Sequence, residues 1–114
     1  MEIAILVFDR LTILDAVGPY EVVSRVPGAR VTLVAERAEP VRSDAGLTLV
    51  PGATFARAES PDVLVVPGGM GVDALLQNPA VLDYIRSTHR TSKWTTAVCT
   101  GSLLLGAAGL LRGI

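Results

Sequence analysis

The chain has one cysteine, Cys99, and it stands where a run of β-branched residues gives way to a helical one. Thr95, Thr96 and Val98 precede it, and Leu103 to Leu111, rich in Leu and Ala, follows. Gly101 supplies the small residue that a sharp turn needs. The segment Thr95-Thr96-Ala97-Val98-Cys99-Thr100-Gly101-Ser102 therefore reads as a strand that stops at Cys99 and turns into a helix. That is the geometry of a nucleophile elbow, which presents a reactive side chain at the carboxyl end of a sheet, although Ala97 stands where the elbow motif has its first Gly. Free N–H groups and the dipole at a helix start favour a thiolate, so the chemistry in view is nucleophilic attack by sulfur. The competing reading is a small buried hydrophobe, because free Cys is among the most buried residue types.

Other chemistries find less material. His89, the single histidine, lies in a polar helix end, Arg86-Ser-Thr-His-Arg90, on the side predicted to be opposite the elbow. A cation near a helix C-terminus is usual without function. One His and one Cys make no metal-ligand cluster, so no metal is expected. Gly68-Gly69-Met70-Gly71 lacks the spacing and the lysine of a phosphate loop. Pro67-Gly68-Gly69 is a breaker cluster; it ends a strand, and it can also bring backbone N–H groups close to a ligand.

The elements that must position these residues alternate. Residues 2–8 are nearly continuous apolar, as in a strand buried on both faces of a parallel sheet. A loop from Asp9 to Asp15 leads to Gly18-Pro19, where Pro19 suits the first turn of a short helix that Pro27-Gly28 stops. Residues 30–35 form a second strand. The segment 36–61, with Pro40, Gly46, Pro51 and Gly52, reads as a small hairpin or edge excursion. Asp62 to Val66 is another buried strand. Short helices over Gly71–Gln77 and from Pro79 to about Thr88 lead to the strand Trp94–Val98 and the elbow. The pattern predicts an α/β class, a mostly parallel sheet covered on both faces, with the site at the carboxyl ends of the strands.

Composition sets the bounds. A chain of 114 residues predicts one domain. Half the residues are hydrophobic but only 4% aromatic, so the core must be Val, Leu, Ile and Ala. Ten basic and eleven acidic residues give a net charge of -1 with no basic run, so no nucleic-acid surface is expected. One cysteine forms no internal disulfide, which fits a reducing compartment. Glu2, not a basic residue, precedes the first apolar run, so that run is not expected to be a signal peptide. Leu103–Leu111 is too short to span a bilayer. A cytoplasmic protein without membrane contact is expected.

Asp15 before Gly18-Pro19-Tyr20-Glu21, then Asp62-Val-Leu-Val-Val-Pro-Gly-Gly69, then Ala97-Val-Cys-Thr-Gly-Ser102 and Leu103–Gly113 resemble the ThiJ/PfpI superfamily. The three motifs fall in the superfamily's order and cover nearly the whole chain. The resemblance implies a three-layer, flavodoxin-like or class I glutamine amidotransferase-like sandwich. It implies a Cys99 thiolate nucleophile with Asp15 as its acid/base partner, buried beside the thiolate, protonated and able to donate to the substrate; the alternative for Asp15 is an N-cap or turn aspartate. It further implies an oxyanion-type hole from the Gly69 and Thr100 amides, with Gly68 beside them and the Thr100 hydroxyl next to the nucleophile. The chain looks most like the isocyanide hydratase branch, which converts an isonitrile to an N-substituted formamide. No cofactor, a small-molecule substrate and a homodimer come with that likeness. The same domain serves as the sensor half of AraC-type transcription regulators, and the wider superfamily includes cysteine-dependent glyoxalases and stress proteins. Peptidase-like members carry His directly after the cysteine, where this chain has Thr100, which argues against a protease. Glu21 is expected on a solvated or dimer face. Family domains run beyond the elbow helix, so residues 1–114 are expected to be a single domain truncated at its C-terminus; the alternative is a complete small flavodoxin-like domain.

Overall fold

Continuous Val, Leu and Ile runs can be hidden only in a sheet with both faces covered, and the chain builds its sheet on them. The computed structural model describes residues 1–110. In chain order the elements are β1 (Glu2–Leu6), α1 (Ile13–Val23), β2 (Arg30–Ala35), β3 (Val41–Arg42), β4 (Thr48–Leu49), β5 (Ala53–Thr54), β6 (Val63–Val66), α2 (Val72–Leu75), α3 (Pro79–Thr91), β7 (Trp94–Ala97) and α4 (Gly101–Ala107). Five strands form one sheet in the order β5-β2-β1-β6-β7, and every pairing in it is parallel. β3 and β4 form a separate antiparallel hairpin with Val41 opposite Leu49. The class is α/β, as the alternation of elements predicts.

The sheet's order fixes where its helices lie. From β1 the chain crosses through α1 to β2 on one side; from β6 it crosses through α3 to β7 on the other. Parallel crossovers are right-handed, so opposite directions place α1 and α3 on opposite faces. α4 packs against α2, α3, β6 and β7, while α1 lies against β1. The change of direction falls between β1 and β6, and a crevice opens outside the carboxyl ends of strands at such a point. The core beneath it is aliphatic. Ile5, Leu6, Leu64, Ile85 and Leu104 are fully enclosed, each contributing about 1.5–3 kcal/mol by leaving water.

The boundaries differ from the sequence reading in instructive places. α1 begins at Ile13, not at Gly18-Pro19, and Pro19 lies inside it. Its ring fixes a φ that a helix accepts, and the cost is local: it has no N–H to give to the Asp15 carbonyl one turn earlier. Asp15 is consequently in the first turn of α1, with its N–H donating to the Thr12 carbonyl at 3.0 Å. It is neither the N-cap, which is Thr12, nor a turn residue. α1 ends at Val23, before Pro27-Gly28, and β1 ends at Leu6, although Val7 and Phe8 remain buried. α3 starts at Pro79, where Asn78 caps it with its side chain accepting from the Ala80 and Val81 N–H groups, and it runs on to Thr91, past the predicted end at about Thr88. The excursion over 36–61 resolves into the β3–β4 hairpin and the short edge strand β5. The end of the predicted elbow helix, Leu111, lies outside the described residues.

Candidate active site

Three strands of the sheet end within reach of one another, and their loops build the site from below. β7 ends at Ala97, the Val98 N–H donates to the Val66 carbonyl at 2.9 Å, and Cys99 then turns with φ +52°. A non-glycine residue held there costs on the order of 1–3 kcal/mol and persists only where its surroundings enforce it. α4 starts immediately after it. The Gly101 N–H closes the turn on the Val98 carbonyl at 3.0 Å, and the Ser102 hydroxyl donates to the Cys99 carbonyl at 3.2 Å. A Cβ on Gly101 would stand 2.2 Å from the Val66 carbonyl oxygen, so no larger residue fits. This is a nucleophile elbow with an exposed thiol, not a buried packing cysteine.

The loop after β6 comes up against this turn equally closely. A Cβ on Gly68 would lie 2.6 Å from the Thr100 hydroxyl oxygen and 2.7 Å from the Thr100 amide nitrogen. Gly69, at φ +135°, would place one 2.5 Å from the Thr12 amide nitrogen. The two glycines are therefore spacers that let the loops after β1, β6 and β7 touch. Both of their amides have partners inside the site. The Gly68 N–H donates to Asp15 Oδ2 at 3.2 Å, and the Gly69 N–H donates to Thr100 Oγ1 at 3.0 Å. The Thr100 hydroxyl thus accepts from below and keeps its own proton to donate. The Thr100 N–H meets no acceptor among the described residues.

Asp15 reaches the same point from α1. Its side chain is buried, 8% exposed, with Oδ2 on the Gly68 amide and Oδ1 accepting from Cys99 Sγ at 3.7 Å. The structure thus brings together Cys99, Asp15, Thr100, Gly68 and Gly69. The electrostatics run against the expectation of a thiol lowered by the helix start. The charge of Asp15 pushes the Cys99 thiol above its ordinary range, with partial desolvation and the hydrogen bond to Asp15 adding to it.

Two other residues singled out in the sequence stay away. His89 is exposed near the end of α3, where Nδ1 meets the Thr95 hydroxyl at 2.8 Å, close to the start of β7 and not its Cys99 end. Glu21 is exposed on α1 and pairs with Arg25. Among the described residues no group of three His, Cys, Asp or Glu side chains is placed to hold a metal ion, and no helix is long and apolar enough to cross a membrane.

Above Cys99 a cleft of about 370 Å³ opens, whose walls the local motifs do not announce. Met70 and Val72 come from the loop after β6 and the start of α2, Leu103 from α4, and Asp73 from α2. Asp44 comes from the tip of the β3–β4 hairpin. That tip is held over the site by the Asp44 N–H on the Leu11 carbonyl at 2.9 Å and by the Thr12 hydroxyl donating to Asp44 Oδ2 at 3.3 Å. Pairing so distant along the chain leaves no trace in residue spacing. The only signal was Gly46, at φ +98° in the turn between the two strands.

The chain's likenesses agree with this geometry. The model of the DJ-1/PfpI family matches residues 1–114. An isonitrile hydratase of Pseudomonas putida is 45% identical over 113 residues, covering 99% of this chain and 50% of that protein. The HTH-type transcriptional regulator GbdR of Pseudomonas aeruginosa is 30% identical over 110 residues, 93% of this chain and 29% of the regulator. The crystal structure of a ThiJ/PfpI family protein from Pseudomonas syringae superposes with a TM-score of 0.95 at 42% identity, over 98% of this chain and 47% of that one. The chain thus spans about half the length of the hydratase and of the crystallised relative.

Proposed function

The chain belongs to the DJ-1/PfpI family, and from that premise we propose that it carries the reacting residues of a cofactor-independent isonitrile hydratase. The contact between Cys99 Sγ and Asp15 Oδ1 at the elbow carries this reading, and the 45% identity to an isonitrile hydratase supports it.

The raised thiol sets the order of proton movements. Cys99 Sγ donates to Asp15 Oδ1, and the charge of Asp15 holds the thiol proton more tightly. As sulfur attacks the terminal isonitrile carbon, Asp15 takes the thiol proton as general base. It then returns that proton to the same carbon, giving a thioimidate, R–N=CH–S–Cys99. Water next adds its hydroxyl to this carbon, and Asp15 relays the other water proton to the nitrogen; the hydroxyl proton is the one that later returns to sulfur. The C–S bond breaks, releasing the N-substituted formamide, and sulfur regains its proton. One isonitrile and one water are consumed, and no redox partner is needed. The Thr100 N–H and hydroxyl point donors at charge that develops on the substrate. Gly69 acts through the Thr100 hydroxyl it holds, and Gly68 acts through the Asp15 carboxylate it holds. A homodimer, a cytoplasmic location and a domain extending beyond these residues belong to the same reading.

The test is formamide production from a simple alkyl isocyanide, followed by NMR, with Cys99→Ala and Asp15→Asn as controls. Turnover abolished by both substitutions is expected. A folded wild-type protein, supplied with the remaining length of its gene where that exists, that yields no formamide would overturn the reading. The second reading is a ligand-sensing half of a regulator, favoured by the 30% identity to GbdR. It predicts saturable ligand binding that survives Cys99→Ala with no product formed.

A further inference from the structure

The cleft over Cys99 has two kinds of wall. One is apolar and open to solvent: Met70 is 62% and Leu103 51% exposed, although both are large hydrophobic side chains. The other is acidic: Asp44 on the hairpin tip and Asp73 on α2 face the same cleft, and Asp15 lies beneath Cys99. No Lys, Arg or His lines it among the described residues. The hairpin's Arg42 lies by Gly46 at the turn instead. The acidity is local, because the whole chain carries a net charge of only -1.

We propose that this cleft selects electrophiles whose organic group is apolar or cationic and rejects those carrying a carboxylate or phosphate. The proposal rests on the reading of Cys99 as the attacking nucleophile and names the substrate class for that site. Apolar substituents would cover Met70 and Leu103 and gain from leaving water. An anionic substituent would approach two carboxylates with no cation among the described residues lining the cleft to compensate, and like charge at close range is how a site excludes the wrong partner. A cationic group would find both carboxylates within the volume it must occupy.

Methanethiosulfonate reagents of similar size, one bearing a trimethylammonium group and one a sulfonate, read this directly. In each case the Cys99 sulfur displaces methanesulfinate and forms a mixed disulfide. At low salt the cationic reagent is expected to react roughly tenfold faster, after normalising each rate to that on a free thiol. The preference should shrink about threefold in the Asp44→Asn/Asp73→Asn double variant and fade in molar salt. Asn keeps an acceptor for the Thr12 hydroxyl, so the hairpin tip stays anchored. Equal rates, a faster anion, or a preference undiminished in the double variant would overturn the proposal. Labelling needs no turnover. A chain that labels selectively but hydrates no isocyanide would therefore sink the hydratase reading and leave the selectivity standing. Hydration of isocyanoacetate as fast as of its methyl ester would overturn the substrate class.

Discussion

The floor of the site and its wall are built by different means. In the floor, Asp15 comes from the first turn of α1, and Gly68, Gly69, Cys99 and Thr100 come from the turns after β6 and β7, where the glycines leave no room for an added Cβ; the Gly68 and Gly69 amides are both hydrogen-bonded inside the site. In the wall, Met70 and Leu103 stand largely exposed. Asp44 sits on a hairpin tip docked at the surface by hydrogen bonds to Leu11 and Thr12, with Arg42 beside it bonded to Asp9 and Arg10. The contrast separates two requirements. On the proposed reading, a nucleophile and its proton partner must be held in close register, which the tightly approached floor provides. The choice among substrates needs only apolar area and charge of the right sign, so the wall can be loose and variable.

If that division holds, changes to the floor have the larger effects. Cys99→Ala should eliminate isocyanide hydration with little loss of stability, since the substitution relieves neither the tight loops nor the core; product formation by NMR beside a thermal melt checks both parts. Gly101→Ala should destabilise the fold by about 1–3 kcal/mol or more, because the new methyl meets the Val66 carbonyl rather than a side chain that can swing away. Denaturant unfolding measures it, and an unchanged midpoint would mean the elbow has slack that the geometry denies. Changes to the wall should be milder. Leu103→Ala should raise KM for bulky isocyanides several-fold while leaving kcat close to wild type, as expected when binding area alone is removed. A fall in kcat of the same size would put Leu103 in the floor.

The same division explains what could be read from the sequence. The elbow was legible because its requirements are local: β-branched residues, one cysteine, and a small residue two positions on. The sheet was legible because Ile3 to Phe8 and Val63 to Val66 have no polar face to show. The start of α1 was hidden by Pro19, which usually marks a first turn but here sits mid-helix; Asp15 was therefore ambiguous until the resemblance gave it a role. Asp44 was invisible, because its place depends on a hairpin docking onto residues more than thirty positions earlier. The direction of the Cys99 shift was also missed. A helix start argues for a lowered thiol, but only the fold reveals that a buried carboxylate is already in contact with the sulfur.

That contact is the centre of the account, and the ionisation of Cys99 tests it most directly. Thiolate absorbance in the ultraviolet, titrated in wild type and in Asp15→Asn, reports the thiol itself. The Asp15 charge favours the protonated sulfur, so removing it must move the titration to lower pH. The account predicts a wild-type thiol that ionises above the ordinary cysteine value of about 8.5 and a variant that ionises lower. A wild-type thiol at or below that value, or one that Asp15→Asn does not move, would contradict a proton shared between Cys99 and Asp15.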